Sequence, residues 1–292
     1  MPVVQPLVSV VMPAYNVEAY IEEAILSIVG QDYRNLELVV VNDGSSDGTR
    51  KIVEKLARRY PAIAKCLTIS NSGPARARNV GIQNARGRII AYQDADDISF
   101  AGRISREVRY LTENPHVAMV YGGMEVRYPG GAIERQQTQS FNGKLLLLRN
   151  YIPCGSVMHR RSILDRVGWW NDNDDWDLWI RVSERYAIGN VPEVVYQYRV
   201  HDSEFRHSRN VLRNALIHLR TFEKRYERKK EVFVGMKVVL LFVQYKILKC
   251  LQALTGNLTD RPRLVKLIAK CFQFAEYKAF RLFATGEVFP PS

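Results

Sequence analysis

A chain of 292 residues has room for one large core, or for one core and an appendage. Its 47% hydrophobic and 25% charged residues are ordinary for a folded domain and exclude a disordered or fibrous chain. The formal net charge of +12 is unevenly held: residues 1–202 carry 24 Lys and Arg against 23 Asp and Glu, or +1, whereas residues 203–292 carry 18 against 7, or +11.

From residue 7 onward strand and helix patterns alternate, which favours a largely parallel sheet with crossover helices. Residues Met1 to Pro6 hold no basic segment of the kind that opens a signal peptide. Leu7 to Met12 is an apolar strand ended by Pro13-Ala14-Tyr15-Asn16. Glu18 to Val29 has apolar residues at helical spacing and acids in its first turn, where the helix dipole favours them. Leu36 to Val41 is the second strand. It runs into the turn-rich Asn42-Asp43-Gly44-Ser45-Ser46-Asp47-Gly48 and a basic amphipathic helix from Thr49 to Tyr60. Ala64 to Ile69 forms a third strand, and Asn71-Ser72-Gly73-Pro74 leads into a helix from Ala75 to Asn84. Arg88 to Gln93 is the strand that delivers Asp94-Ala95-Asp96-Asp97.

Three carboxylates within four positions repel one another, so a cation belongs among them. Oxygen-only ligands at the end of a buried strand suit Mg²⁺ or Mn²⁺, which complete their shells with water and substrate phosphate. An Asp-x-Asp is also a common helix cap, and Asp43-Gly44-Ser45 is also an ordinary turn. Position favours chemistry in both cases, because ligands of open α/β sheets gather at the carboxyl ends of the strands. At Asp43 a carboxylate can accept hydrogen bonds from a base or ribose, with Gly44 and Gly48 allowing close backbone approach. Arg76 and Arg78 are either phosphate contacts or solvated charges. The chain has no Gly-x-x-x-x-Gly-Lys and no Gly-x-Gly-x-x-Gly, which removes the main support for a kinase-like or dinucleotide-binding reading.

Val8-Ser9-Val10-Val11-Met12-Pro13-Ala14-Tyr15-Asn16, Val40 to Thr49, Gly73 through Arg78-Asn79-Val80-Gly81, and Asp94-Ala95-Asp96-Asp97 together resemble glycosyltransferase family 2. The resemblance spans about residues 7–200. It implies the GT-A fold, an α/β architecture whose Rossmann-like, mostly parallel mixed sheet is flanked by helices, and a nucleotide-diphosphate sugar donor, with UDP favoured. Pro13, Ala14, Tyr15 and Asn16 would line the nucleoside pocket and Asp43 would contact the base. Gly73 would help bind the nucleotide-sugar, Arg78 would lie near the ribose or the acidic cluster, Asp94 with Ala95 would face ribose and donor sugar, and Asp96 would bind the metal. Asp97 would touch the sugar or stand behind the metal.

A second cluster, Asn171-Asp172-Asn173-Asp174-Asp175-Trp176-Asp177, heads another helix, where carboxylates also serve as simple caps. Compared with the family pattern of Glu-Asp and an aromatic residue, Asp174 takes the Glu position and Asp175 the catalytic one. A carboxylate there can take the proton of an attacking acceptor hydroxyl, and direct displacement inverts the anomeric configuration. The shorter side chain of Asp174 leaves its contact open, and Asp174 and Trp176 fall on the acceptor side or behind the residues that touch substrate. Trp169, Trp170, Trp176 and Trp179 either stack on an acceptor sugar or pack the core. Gly155-Ser156 is open to the same two readings. His116, His159, His207 and His218 are read as structural or surface residues. His201 closes Tyr196-Gln197-Tyr198-Arg199-Val200-His201, which is similar to a Tyr-Arg-x-His that meets the metal or diphosphate in the family.

Residues 1–202 are therefore expected to be the catalytic domain and residues 203–292 a basic helical extension. Arg206 to Lys230 is strongly basic, and Val232 to Leu254 is apolar but interrupted by Lys237, Lys246 and Lys249, too many charges to cross a bilayer. This segment and Leu264 to Phe283 suit interfacial helices on anionic lipid, or surfaces that pack on the domain or form a homodimer. No motif supports a nucleic-acid partner. Cys66, Cys154, Cys250 and Cys271 are widely spaced, which fits a reducing cytoplasm, with the tail at the inner face of the cytoplasmic membrane. The expected activity is inverting, metal-dependent sugar transfer to a saccharide or lipid-linked saccharide acceptor in polysaccharide or glycoconjugate synthesis. A nucleotidyltransferase and a noncatalytic sugar-nucleotide-binding module are the alternatives.

Overall fold

A computed structural model describes residues 5–148, 150–171 and 175–201. Asp174 and the basic tail, 203–292, lie outside the described residues. Internal contacts divide the chain into one unit of residues 1–146 and 150–200 and another of residues 147–149 and 201–292. The first unit carries the sheet.

Its elements begin with β1 (Val8–Ala14), α1 (Ile21–Val29), β2 (Leu36–Asp43), α2 (Thr49–Arg59), β3 (Ala64–Ile69), α3 (Pro74–Gln83) and β4 (Ile89–Tyr92). There follow β5 (Ile98–Ser99), α4 (Arg103–Glu113), β6 (Val117–Arg127), β7 (Ile133–Gln136) and α5 (Gly143–Leu148). The described part ends with β8 (Val157–Arg160), α6 (Leu164–Val167), α7 (Asp175–Ser183) and β9 (Ala187–Arg199). The strand order is β3-β2-β1-β4-β8-β6-β9-β5, with β7 paired to β6. Strands β3, β2, β1 and β4 are mutually parallel, β8 runs against both β4 and β6, and β6 and β9 are parallel. The carboxyl ends of β1, β2, β4 and β9 therefore share one edge.

Near-continuous apolar runs in β1 and β2 are explained by helices on both faces. Val8, Val10, Met12, Leu38 and Val40 join Ile21, Ile25 and Ile28 of α1, Leu56 of α2, and Ile104 and Leu111 of α4 in the main core. Val39 and Val41 point the other way and meet Ala77 of α3.

Several boundaries differ from the sequence expectation by a few residues, among them the ends of β1 and β2 and the start of α1. Pairing of β1 with β4 stops at Val11↔Tyr92, whereas pairing with β2 continues to Ala14↔Asn42. Beyond Val11 the strand is an edge on one side, where a proline is tolerated, so it extends through Pro13. Helix α1 starts at Ile21, not Glu18, because the loops compete for Glu18. Its backbone N–H donates to Asp47 Oδ2 (3.1 Å) and its carboxylate accepts the Gly48 N–H (2.5 Å).

Beneath the sheet edge a fully buried ion pair joins Arg103 Nε and Glu107 Oε1 at 3.1 Å. Burial pushes the Glu107 carboxyl up to about 7, although the Arg103 charge and hydrogen bond pull it down. Because this folded value lies above the ordinary 4.5, the folded chain holds the Glu107 proton more tightly than the unfolded chain. That contribution is complete below about pH 4.5 and is lost as pH rises through about 7. Urea titrations should show the stability of Glu107→Gln gaining on the parent by roughly 3 kcal/mol between pH 4.5 and 7.5. A constant difference across that range would refute the assignment.

Candidate functional site

The acidic turn is built from below. Arg103 Nη1 donates to Gln93 Oε1 (3.2 Å) and Ser99 Oγ (2.8 Å), and its Nη2 donates to Tyr92 O (3.0 Å). Gln93 Nε2 in turn donates to the backbone carbonyls of Asp94 and Asp97, both at 3.0 Å. A buried guanidinium thus sets the backbone of the turn through one side-chain amide.

Each carboxylate of the turn has a different setting. Asp94 Oδ1 accepts Arg78 Nη2 at 2.6 Å, and its Oδ2 lies 3.3 Å from the Tyr196 hydroxyl. Asp97 is buried, with Oδ2 accepting the Tyr196 hydroxyl and Oδ1 accepting the Arg199 backbone N–H at 2.6 Å. Burial and the neighbouring Asp96 and Asp94 charges push the Asp97 carboxyl well above the usual carboxylate range, against the pull of those two bonds. Asp96 is partly exposed and lines a cavity.

That cavity, of about 380 Å³, opens at the carboxyl ends of β1, β2 and β4. Its lining is Pro13, Ala14, Tyr15, Val17, Asp43, Asn71, Gly73, Pro74, Arg78, Asp94, Ala95 and Asp96. Eight of the nine residues expected to bind nucleotide-sugar meet there together with Asp96. The ninth, Asn16, holds the rim, in the left-handed region at φ 51°. Its N–H donates to Ser45 Oγ (3.1 Å), and its Oδ1 accepts the Ser46 N–H (2.9 Å). Asp43 receives the Ser72 and Gly73 N–H groups on its two oxygens, each at 2.8 Å, and so ties the β3–α3 loop to β2. Gly44, at φ 70°, makes that closure feasible, since a Cβ there would stand 2.8 Å from Asn71 N.

Arg78 is held on two sides, by Asp94 and by the Trp170 ring, whose centroid lies 4.5 Å from the guanidinium carbon. Trp170 is itself pinned: its N–H donates to Asn79 Oδ1 (3.2 Å), its carbonyl accepts Asn79 Nδ2 (3.1 Å), and its indole N–H donates to Tyr92 Oη (2.9 Å). The Tyr92 hydroxyl then meets His159 Nε2 at 2.8 Å. Burial lowers the His159 imidazole to about 4, so it serves here as a neutral structural acceptor. Trp170, Trp176 and Trp179 are all buried, which favours packing over sugar stacking.

From the second cluster, Asp175 begins α7. Its Oδ1 accepts Asn150 Nδ2 (3.0 Å) and its own helix's Trp176 N–H (2.8 Å). Burial opposes the charge of Arg78, while Cys154, Asp94 and Asp175 reinforce it and raise its pKa, so both acidic clusters act on one guanidinium. Trp176 is buried, with its indole N–H on the Leu146 carbonyl. His201 directly follows the first unit, two residues beyond the Arg199 that holds Asp97. Among the described residues no group of three or more His, Cys, Asp or Glu side chains is arranged to hold a metal by itself.

Sequence reasoning missed Asn71, Val17 and Pro74 in the lining, and Gln93, Arg103, Asn79 and Tyr196 beneath it. Tyr196 sits in the segment singled out around His201, Pro74 and Asn79 in the Gly73 to Gly81 motif and Asn71 in the turn before α3, but no role was assigned to any of them.

The sequence matches Glycosyl transferase family 2 over residues 9–168. It is 31% identical over 227 residues to a protein of Haemophilus influenzae described as an uncharacterized glycosyltransferase, covering 70% of each chain. The fold resembles S. aureus TarS in complex with UDP-GlcNAc, with a TM-score of 0.60 and 19% identity over 89% of this chain and 79% of that one. It also resembles the mannosyltransferase PcManGT of Pyrobaculum calidifontis in complex with GDP-Man and Mn²⁺, with a TM-score of 0.64 and 23% identity over 97% and 84%. The architecture is that of the GT-A fold.

Replacing Asp43 with Ala leaves two loop N–H groups without their acceptor. Such a change should cost about 2 kcal/mol in urea unfolding and speed hydrogen exchange at Ser72 and Gly73. Unchanged exchange there would show that the loop is held by other means.

Proposed function

Because the chain belongs to glycosyl transferase family 2 and is a glycosyltransferase, we propose that it is an inverting, metal-dependent enzyme. In this reading it moves a sugar from a nucleotide-diphosphate donor to a saccharide or lipid-linked saccharide acceptor, in polysaccharide or glycoconjugate synthesis. Family membership sets aside the nucleotidyltransferase and the noncatalytic module. The observation that carries the reading is one cavity running from the Asp43 acceptor to the Asp96 carboxylate, with Arg78 at its wall under the influence of both acidic clusters.

Asp43 offers only acceptor atoms, which suits the ring N–H of uracil or guanine and disfavours cytosine and adenine, whose corresponding ring nitrogens are themselves acceptors. UDP is the favoured carrier, supported by the UDP-GlcNAc of the TarS complex, and GDP is the second choice, supported by the GDP-Man of PcManGT. Tyr15, half-exposed on the rim, offers a ring to the base. In this reading Asp96, partly exposed on the cavity wall, is the carboxylate that meets a cation. A single carboxylate fits Mg²⁺ or Mn²⁺ in the mode where substrate phosphates complete the shell. When bound, such an ion offsets the charge that builds on the departing diphosphate. His201 is proposed as an additional ligand or diphosphate contact.

Asp175 is proposed as the base. Asn150 and the Trp176 N–H fix one of its oxygens, which orients the carboxylate for the acceptor hydroxyl. Asp97 acts behind the metal, Asp174 stands on the acceptor side or behind it, and the buried Trp176 supports that side from behind. Among the described residues no helix is long and apolar enough to cross a membrane. We place catalysis in residues 1–202 and peripheral attachment to anionic lipid, or self-association, in residues 203–292. A cytoplasmic location at the inner membrane face follows from that placement.

A panel of UDP- and GDP-sugars incubated with Mn²⁺ should give nucleotide release with at least one donor. EDTA should stop the reaction, and added Mn²⁺ should restore it. Release that survives EDTA sinks the metal assignment. Asp175→Asn should lower turnover by about 10²–10⁴-fold while the donor dissociation constant stays within about twofold. Near-normal turnover in that variant would mean that another group takes the proton.

A further inference from the structure

We propose that Tyr196 is the positioning residue of the acidic turn, and that its hydroxyl, shared by Asp94 and Asp97, fixes the direction in which Asp96 faces the donor diphosphate and its cation. The proposal rests on the donor-site reading above and adds to it a residue from the far side of the sheet. Tyr196 lies on β9, four strands away from β1 in the sheet order. Its side chain is buried, and its hydroxyl donates to Asp97 Oδ2 while lying 3.3 Å from Asp94 Oδ2. One hydroxyl thus spans the two carboxylates that flank Asp96 in sequence. With Asp94 and Asp97 both tethered, the intervening residues have little freedom to rotate.

The ring is held as firmly as the hydroxyl. The neighbouring Gly155 has no Cβ, and one built there would lie 2.0 Å from the Tyr196 ring carbon that bears the hydroxyl. Any larger residue at 155 therefore displaces the ring. The guanidinium of Arg103, which sets the turn's backbone through Gln93, stands 6.0 Å from the ring centroid. β-Pairing completes the clamp, since Ser99 pairs with Tyr196 and the Arg199 N–H binds the other oxygen of Asp97. Gly155 is accounted for by this contact without an acceptor sugar.

Partners standing behind a metal-binding carboxylate typically govern metal affinity by 10–100-fold, whereas Tyr196 does not line the cavity, whose Asp43 end is set by the Ser72 and Gly73 N–H groups. Calorimetric titration with UDP, and with GDP in parallel, with and without Mn²⁺, separates the two ends. In the parent protein Mn²⁺ should tighten nucleotide binding. In Tyr196→Phe the metal-free affinity should stay within about twofold, while the tightening by Mn²⁺ falls by about tenfold or more. The ratio of the two affinities is read on the same sample, so a partly unfolded preparation does not distort it. Gly155→Ala, which moves the ring and removes no polar group, should reproduce the loss. A parent protein whose nucleotide affinity ignores Mn²⁺ overturns the metal-site reading and this proposal with it. A parent that responds and a Tyr196→Phe that responds equally overturns the positioning role alone.

Discussion

Mutual repulsion of carboxylates at the end of the sheet is the constraint around which the described structure is arranged. Asp94, Asp96 and Asp97 fall within four positions, and folding places them beside one another with little water to screen them. Each of two repulsions is met by a specific group: Arg78 on Asp94, and the Tyr196 hydroxyl with the Arg199 N–H on Asp97. Arg103 adds a buried positive charge beneath the backbone. These groups come from α3 and α4, which flank the turn in sequence, and from β9, about a hundred residues away. Most of the long-range architecture can therefore be understood as bringing donors to one acidic turn.

The sheet makes this convergence possible because its parallel strands end together. β1 and β2 supply the Asp43 end of the cavity, the turn after β4 carries the acids, and β9 returns from the opposite side in parallel with β6 to close on them. Strand β4 is short, and its early end at Tyr92 leaves β1 exposed beyond Val11. The opening left by that mismatch is lined by Pro13, Ala14 and Tyr15. A longer β4 would fill the cavity with backbone.

Local patterns made the first half of the fold legible. Apolar runs such as Val8-Ser9-Val10-Val11-Met12 and Leu38-Val39-Val40-Val41 admit few readings, and Asp43 and Asp94 stand at strand ends where ligands collect. The supporting residues were not legible, because their role depends on pairing across the chain. Nothing local distinguishes Arg103 from the other arginines of its amphipathic helix, yet it is fully buried while Arg106 binds a surface carbonyl. Asn79 reads as a polar helix position until Trp170 is seen against it. The start of α1 was misread for a related reason: Glu18 is taken by the β2–α2 loop, a competition that helical periodicity does not record.

The same accounting bears on when a cation would enter. A resident metal site needs several ligands free of other commitments, but Asp94 is bound to a guanidinium and Asp97 is buried on two donors. Releasing either would leave a buried donor unsatisfied, at a cost of about 1–3 kcal/mol before any metal bond forms. Under the proposed function Asp96 would hold a divalent ion whose shell substrate phosphate completes. On that reading the cation and the donor would enter as one ligand. What the fold itself supplies is a turn in which Asp94 and Asp97 are held by their own donors.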